Sequence, residues 1–241
     1  MPFTFSHPAI VLPCCYLPQR WRSLTGLVAG SVVPDFEMFL RMKALITFSH
    51  TWHSIFWFNL PLALVLCFLF HLLVRNPLIS HLPLFLKQRL NSFKGFNWTQ
   101  HFRQQTLVVV VSILIGILSH FFWDNFTHHY GIFLQWFPAL AQDVVLGEYR
   151  LPLYFLLQIG FSVLGGLAVL YAMLLLPVKR TYNHTYQTLK YWVLLITITL
   201  LITAIRYMTG LSFSYFPNVV VVLISAGLLS LLLTSFLIRD R

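Results

Sequence analysis

Residues 106–125 read TLVVVVSILIGILSHFFWDN. From Leu107 to Leu118 the run is apolar apart from Ser112 and Gly116; it closes on His120, Asp124 and Asn125 and contains no lysine or arginine. Twenty residues of helix rise about 30 Å, the thickness of a bilayer's hydrocarbon core. Inside lipid the backbone must pair its own polar groups, so such a stretch crosses as a helix. Four further stretches read the same way: Ser54–Val74, Leu151–Leu176, Tyr191–Tyr207 and Val219–Leu237. The expected fold is all-α, a polytopic transmembrane helical bundle of five strong spans plus an N-terminal short-helix hairpin. One integral membrane domain is expected over residues 1–241, with a re-entrant hairpin and polar loop in 1–50 and five spans in 54–237.

Composition agrees. The 241 residues are 58% hydrophobic and 9% charged, against about 25% charged in soluble domains. The formal charge of +10 is scattered between apolar runs, so no basic stripe points to nucleic acid, and the bilayer is the expected partner. Cys14, Cys15 and Cys67 form neither a disulfide framework nor a CxxC metal motif. The start lacks a basic segment and a small-residue cleavage site and is expected to stay in the mature protein. Lysine and arginine set the orientation. Arg20, Arg22, Arg75, Lys87, Arg89, Lys94, Arg103, Lys179, Arg180, Lys190, Arg239 and Arg241 fall on one side; Arg41, Lys43, Arg150 and Arg206 fall on the other. That twelve-to-four bias predicts a multi-pass protein of the cytoplasmic membrane with its C-terminus in the cytoplasm.

The first arm, His7 to Pro18, and the second, Leu24 to Asp35, each rise about 17 Å as helix, too short to cross. Joined at Gln19-Arg20-Trp21-Arg22, they predict a hairpin entering from outside and returning to one level. His50 and His53 open the first full span, and His120 and Asp124 close the next, so three stretches converge on the outer face. His120 and Asp124, at i and i+4, share one side of a helix; His50 and His53, at i and i+3, are expected to do the same. Imidazole and carboxylate suit zinc and related divalent ions, and a catalytic site needs about three protein ligands plus a position for water.

The predicted ligands of a divalent metal, with zinc the first choice, are His7, Asp35, His50, His53, His120, Asp124 and His128. Glu37 is the candidate general base. Purely structural readings stand beside these: Pro34–Glu37 as a helix start, His50 and His53 as interfacial residues, His120 and Asp124 as a hydrogen-bonded pair. His71, His81, His101 and His184 read as non-ligands, and of the adjacent His128 and His129 only one can point into a site.

These motifs, in order, resemble a known family. The opening Met1-Pro2-Phe3-Thr4-Phe5-Ser6-His7-Pro8, Gly30-Ser31-Val32-Val33-Pro34-Asp35-Phe36-Glu37, Ser49-His50-Thr51, Leu118–Asp124 with Phe126-Thr127-His128, and Leu151-Pro152-Leu153-Tyr154 with Gln158 and Gly160 resemble the bacterial membrane family called domain of unknown function 4184. The order His7, Pro34-Asp35, His53-Ser54, His120-x-x-x-Asp124 is more distantly similar to membrane-bound metal-dependent hydrolases. His120, Asp124 and His128 echo the zinc-dependent phospholipase C pattern. The usual hydrolase signature is replaced here by Phe48–Ser54, and the late phospholipase ligand motif is absent.

The resemblance and the residues together imply a membrane-embedded hydrolase of an ester or phosphoester in a lipid or amphipathic substrate. Two other classes fit the same cluster: a transport or metal-handling protein, and a structural membrane protein whose polar residues tie helices together. A transporter needs a polar trail across the membrane, and the later spans offer little beyond Gln158, Ser162, Thr197 and Thr203.

Overall fold

The computed structural model describes residues 3–182, 185–212 and 214–238, apart from the side chain of Thr185. Met1, Pro2, His184, Arg239 and Arg241, used in the sequence reading, lie outside the described residues. In chain order the helices are α1 (Pro8–Val11), α2 (Leu24–Val32), α3 (Phe36–Arg41), α4 (Ile55–His81), α5 (Leu84–Leu90), α6 (Trp98–Gln104), α7 (Thr106–Thr127), α8 (Ile132–Trp136), α9 (Leu153–Leu174), α10 (Thr185–Met208) and α11 (Phe216–Leu237). One antiparallel hairpin, β1 (Asp143–Leu146) and β2 (Tyr149–Pro152), interrupts them. It turns on two residues, where Gly147 adopts φ +63°, a conformation that costs glycine little.

Five helices, α4, α7, α9, α10 and α11, are long and apolar enough to cross a membrane. On α9 the outward residues include Ile159, Val163, Leu164 and Leu167, each about half exposed or more. In water each large apolar side chain left uncovered forfeits ~1.5–3 kcal/mol, so this surface belongs in lipid. The chain is an all-α membrane protein with five spans and a short-helix hairpin at its start, as the sequence predicts.

The first span is longer than its sequence suggests, running to His81 through Arg75 and Pro77. Two physical features carry it through. Residues Phe70–Val74 form a wide π turn, closed where the Arg75 N–H donates to the Phe70 carbonyl. Arg75 is buried, but its guanidinium donates to the carbonyls of Phe96 at 2.7 Å and Lys94 at 3.0 Å.

The chain packs as two compact units. Unit 1 draws on Met1–Pro34, His50–Leu64 and Gln105–Met173; unit 2 draws on Asp35–Ser49, Val65–Gln104 and Leu174–Arg241. In unit 1 the second arm of the hairpin packs along α7. A Cβ on Gly30 would overlap the carbonyl of Ile113, and one on Gly116 would overlap the carbonyl of Leu27. The two backbones therefore touch, a close approach that small residues permit. Ser23 caps α2, accepting from the Gly26 N–H at 3.3 Å, and its own N–H donates to Ser112 Oγ at 2.9 Å. The first arm is anchored to α9, where the Ser6 hydroxyl donates to the Ser162 carbonyl at 2.7 Å.

Unit 2 is built on α10 and α11, with Tyr191 and Ser235 hydroxyls 3.2 Å apart. Its loop after α3 is organised by Glu37. Oε1 accepts from the Thr47 N–H at 3.0 Å and hydroxyl at 2.6 Å; Oε2 accepts from the N–H groups of Phe48 at 3.0 Å and Ser49 at 2.8 Å. Arg41, one turn on, donates to Oε1 at 3.0 Å.

Candidate metal centre

The site belongs to unit 1 and starts from the C-terminal half of α7. The i to i+4 spacing of His120 and Asp124 puts both on its buried side, with Nε2 3.2 Å from Oδ2. From the turn before α4, His50 brings its Nε2 to 3.2 Å from His120 Nε2 and 3.2 Å from Asp124 Oδ2. Three ligand atoms thus form a triangle with equal sides. In a tetrahedral zinc site with bonds of about 2.0–2.1 Å, neighbouring ligand atoms lie about 3.3 Å apart. The triangle has the size of one face of that tetrahedron.

Protonation adds a second constraint. His120 Nδ1 lies 2.8 Å from the Ser31 carbonyl, which can only accept, so Nδ1 carries the proton and a neutral ring keeps its lone pair on Nε2. That lone pair faces a carboxylate oxygen. Such an approach is repulsive unless a cation, either a proton or a metal ion, sits among the three atoms. The Nδ1 bond to a backbone carbonyl is also the usual way a metal-binding histidine is oriented. Ser31 can offer its carbonyl because Gly30 and Gly116 let α2 and α7 meet.

His7, at the start of the first arm, lies 3.3 Å from the other carboxylate oxygen, Asp124 Oδ1, and its ring stacks on His120 at 4.0 Å. His7 is fully buried, and among the described residues its Nδ1 has no hydrogen-bond partner. His128 follows the last turn of α7. Its Nδ1 donates to the Asp124 carbonyl at 3.0 Å, and its buried Nε2 has no partner among the described residues. Burial, opposed by the charge of Asp124, pushes the pKa of His128 down to about 4, so its ring is neutral at physiological pH. His50 and His128 reach the edge, with side chains 12% and 10% exposed, whereas those of His7 and His120 are closed off.

Of the predicted set, His7, His50, His120, Asp124 and His128 come together. His53 does not share the burial of His50; it is exposed. The i, i+3 spacing places two side chains together only on a helix, but residues 50–53 are a turn and α4 begins at Ile55, so the two need not point the same way. Of the adjacent pair, His128 is buried and His129 exposed. Asp35 and Glu37 are buried and belong to unit 2. Burial alone would raise the pKa of Glu37; the hydrogen bonds from Thr47, Phe48 and Ser49 outweigh it and bring the pKa down to about 2. A carboxylate so fully occupied is an anchor and a poor proton acceptor.

His71 and His81 are engaged in unit 2, His71 stacked on Trp98 at 4.7 Å and His81 on Tyr191 at 4.6 Å. The sequence reading missed Ser31, whose part is played by a backbone carbonyl. A signal existed in Gly26-x-x-x-Gly30, the small-residue spacing of closely packed membrane helices.

No curated protein and no solved structure matches the chain. Residues 1–236 match the family described as Domain of unknown function (DUF4184), so the chain belongs to that family.

Proposed function

We propose that unit 1 binds one divalent cation, zinc as first choice, on His50 Nε2, His120 Nε2 and Asp124 Oδ2, and hydrolyses an ester or phosphoester of a lipid or amphipathic substrate. The observation that carries this reading is the triangle of ligand atoms with 3.2 Å sides. Three protein ligands leave a fourth position for water, the arrangement of catalytic rather than structural zinc. A divalent cation held there would supply a nucleophilic hydroxide at neutral pH and polarise the substrate oxygen.

The chain's own residues do the rest. Ser31 fixes the ring of His120, and His7 holds the second oxygen of Asp124 so that the first faces the histidines. His50 marks the open edge, and exposed Trp52, Phe56 and Trp57 follow it in the chain as apolar surface for an amphipathic substrate. Glu37, occupied by its own loop, is not required. An orientation with the C-terminus in the cytoplasm and the centre at the outer boundary of the cytoplasmic membrane is supported by the twelve-to-four bias in basic residues.

The test is turnover of bis(p-nitrophenyl) phosphate, p-nitrophenyl butyrate and short-chain phospholipids by zinc-loaded protein in detergent. Hydrolysis lost in His120→Ala and retained in His53→Ala supports the reading. Protein that holds metal yet cleaves none of these substrates points instead to metal handling.

A further inference from the structure

We infer that unit 2 carries a second, separate binding site: a cavity of about 380 Å³ that takes a phosphate-bearing anion. Small-ligand sites span roughly 300–1,000 Å³, so the volume suffices for a phosphate or a lipid headgroup. Its walls include the ammonium-bearing side chains of Lys87 and Lys94, with Ser80, Asn91, Gln187 and Thr188 supplying hydroxyls and amides. Among the described residues the lining holds two lysines and no acid. That imbalance is built into the sequence, because residues 38–123 and 149–239 contain no Asp or Glu at all.

Both lysines are held in place. Lys87, buried, donates from Nζ to the Tyr182 carbonyl at 2.9 Å, and Lys94 Nζ donates to Ser80 Oγ at 2.6 Å. An ammonium has three donors, and a phosphate oxygen is the acceptor that adds charge as well as geometry. The frame is rigid: His81 stacks on Tyr191 with the rings 3° from parallel, and its carbonyl accepts from Trp192 Nε1 at 2.7 Å.

Position brings phosphate groups within reach. Ser80 and His81 end the span Ile55–His81, and Gln187 and Thr188 lie in the first turn of the span Tyr186–Met208. The cavity therefore opens where two spans leave the hydrocarbon, at headgroup level, and basic pockets between span ends are the usual receptors for acidic headgroups. The shared chemistry is the phosphate group, whether on a phospholipid or free.

The test uses the full chain in dodecyl maltoside, titrated with dioctanoyl phosphatidylglycerol, inorganic phosphate and the phosphate-free control dioctanoylglycerol, with bound ligand read by native mass spectrometry. Saturable binding of phosphatidylglycerol or of phosphate is expected. Lys94→Ala should weaken it roughly 10- to 100-fold, the worth of one hydrogen bond to a charged group. Lys94→Arg should retain it, and Lys87→Gln gives a second, independent loss; circular dichroism and elution volume check that each variant is folded. Binding of phosphatidylglycerol but not of inorganic phosphate assigns a headgroup site, and displacement of phosphatidylglycerol by inorganic phosphate assigns free phosphate. Equal binding of dioctanoylglycerol, no saturable binding, or unchanged affinity in folded Lys94→Ala and Lys87→Gln overturns the inference.

Discussion

Replacing Glu37 by glutamine tests whether this acid is an anchor or a catalyst. In the native protein both carboxylate oxygens accept, from Thr47 twice and Arg41 on one side and from Phe48 and Ser49 on the other. Glutamine keeps one accepting oxygen; its NH₂ group meets N–H donors and satisfies none of them. The magnitude follows from the same bonds seen through titration. The pKa falls from 4.5 to about 2, which is worth about 3 kcal/mol of folding free energy. Two N–H groups left without an acceptor, at about 1–3 kcal/mol each, give the same size of loss.

The sign can be checked with pH. A depressed carboxyl pKa stabilises fully above 4.5, and that contribution is lost as pH falls through about 2. Glu37→Gln should therefore unfold well below wild type at pH 7 by thermal melting in detergent, with the gap narrowing from pH 4.5 toward 2. Metal content and activity per folded molecule should be unchanged. A variant as stable as wild type at pH 7 but without hydrolytic activity would refute the anchor and restore Glu37 as the base.

Other substitutions separate packing from ligation. Gly30→Ala forces a Cβ into the Ile113 carbonyl and should cost about 1–3 kcal/mol while lowering metal content, whereas Gly160→Ala, which meets nothing within 4 Å, should do neither. His50→Ala should abolish metal retention after dialysis, and His53→Ala should not, as measured by elemental analysis. Trp192→Phe removes the donor to the His81 carbonyl and should lower the melting point by an amount equivalent to about 1 kcal/mol.

The five spans were legible because lipid imposes a length and a composition that few other structures need. Boundaries were less so: the run past Val74 to His81 depends on a π turn and on carbonyls that meet Arg75, neither visible as a pattern. Within the site, His120 and Asp124 were readable because helical periodicity fixes which side chains share a face. His50 and His53 were not separable, because a turn has no period. Ser31 stayed hidden since a carbonyl's role is independent of side-chain identity, although the glycines that bring it close are in the sequence. Glu37 was the candidate base as a carboxylate outside the ligand set; its task emerged only when residues 47–49 were seen to fold back onto it.

The central claim is that His50, His120 and Asp124 form a metal site, and the most direct measurement is elemental analysis of purified protein dialysed against metal-free buffer. Wild type should retain close to one divalent ion per chain, and folded His120→Ala and Asp124→Asn should retain none. Wild-type protein that emerges folded and metal-free, and stays so after incubation with zinc, would mean that a proton holds the triangle together and that no metal centre exists.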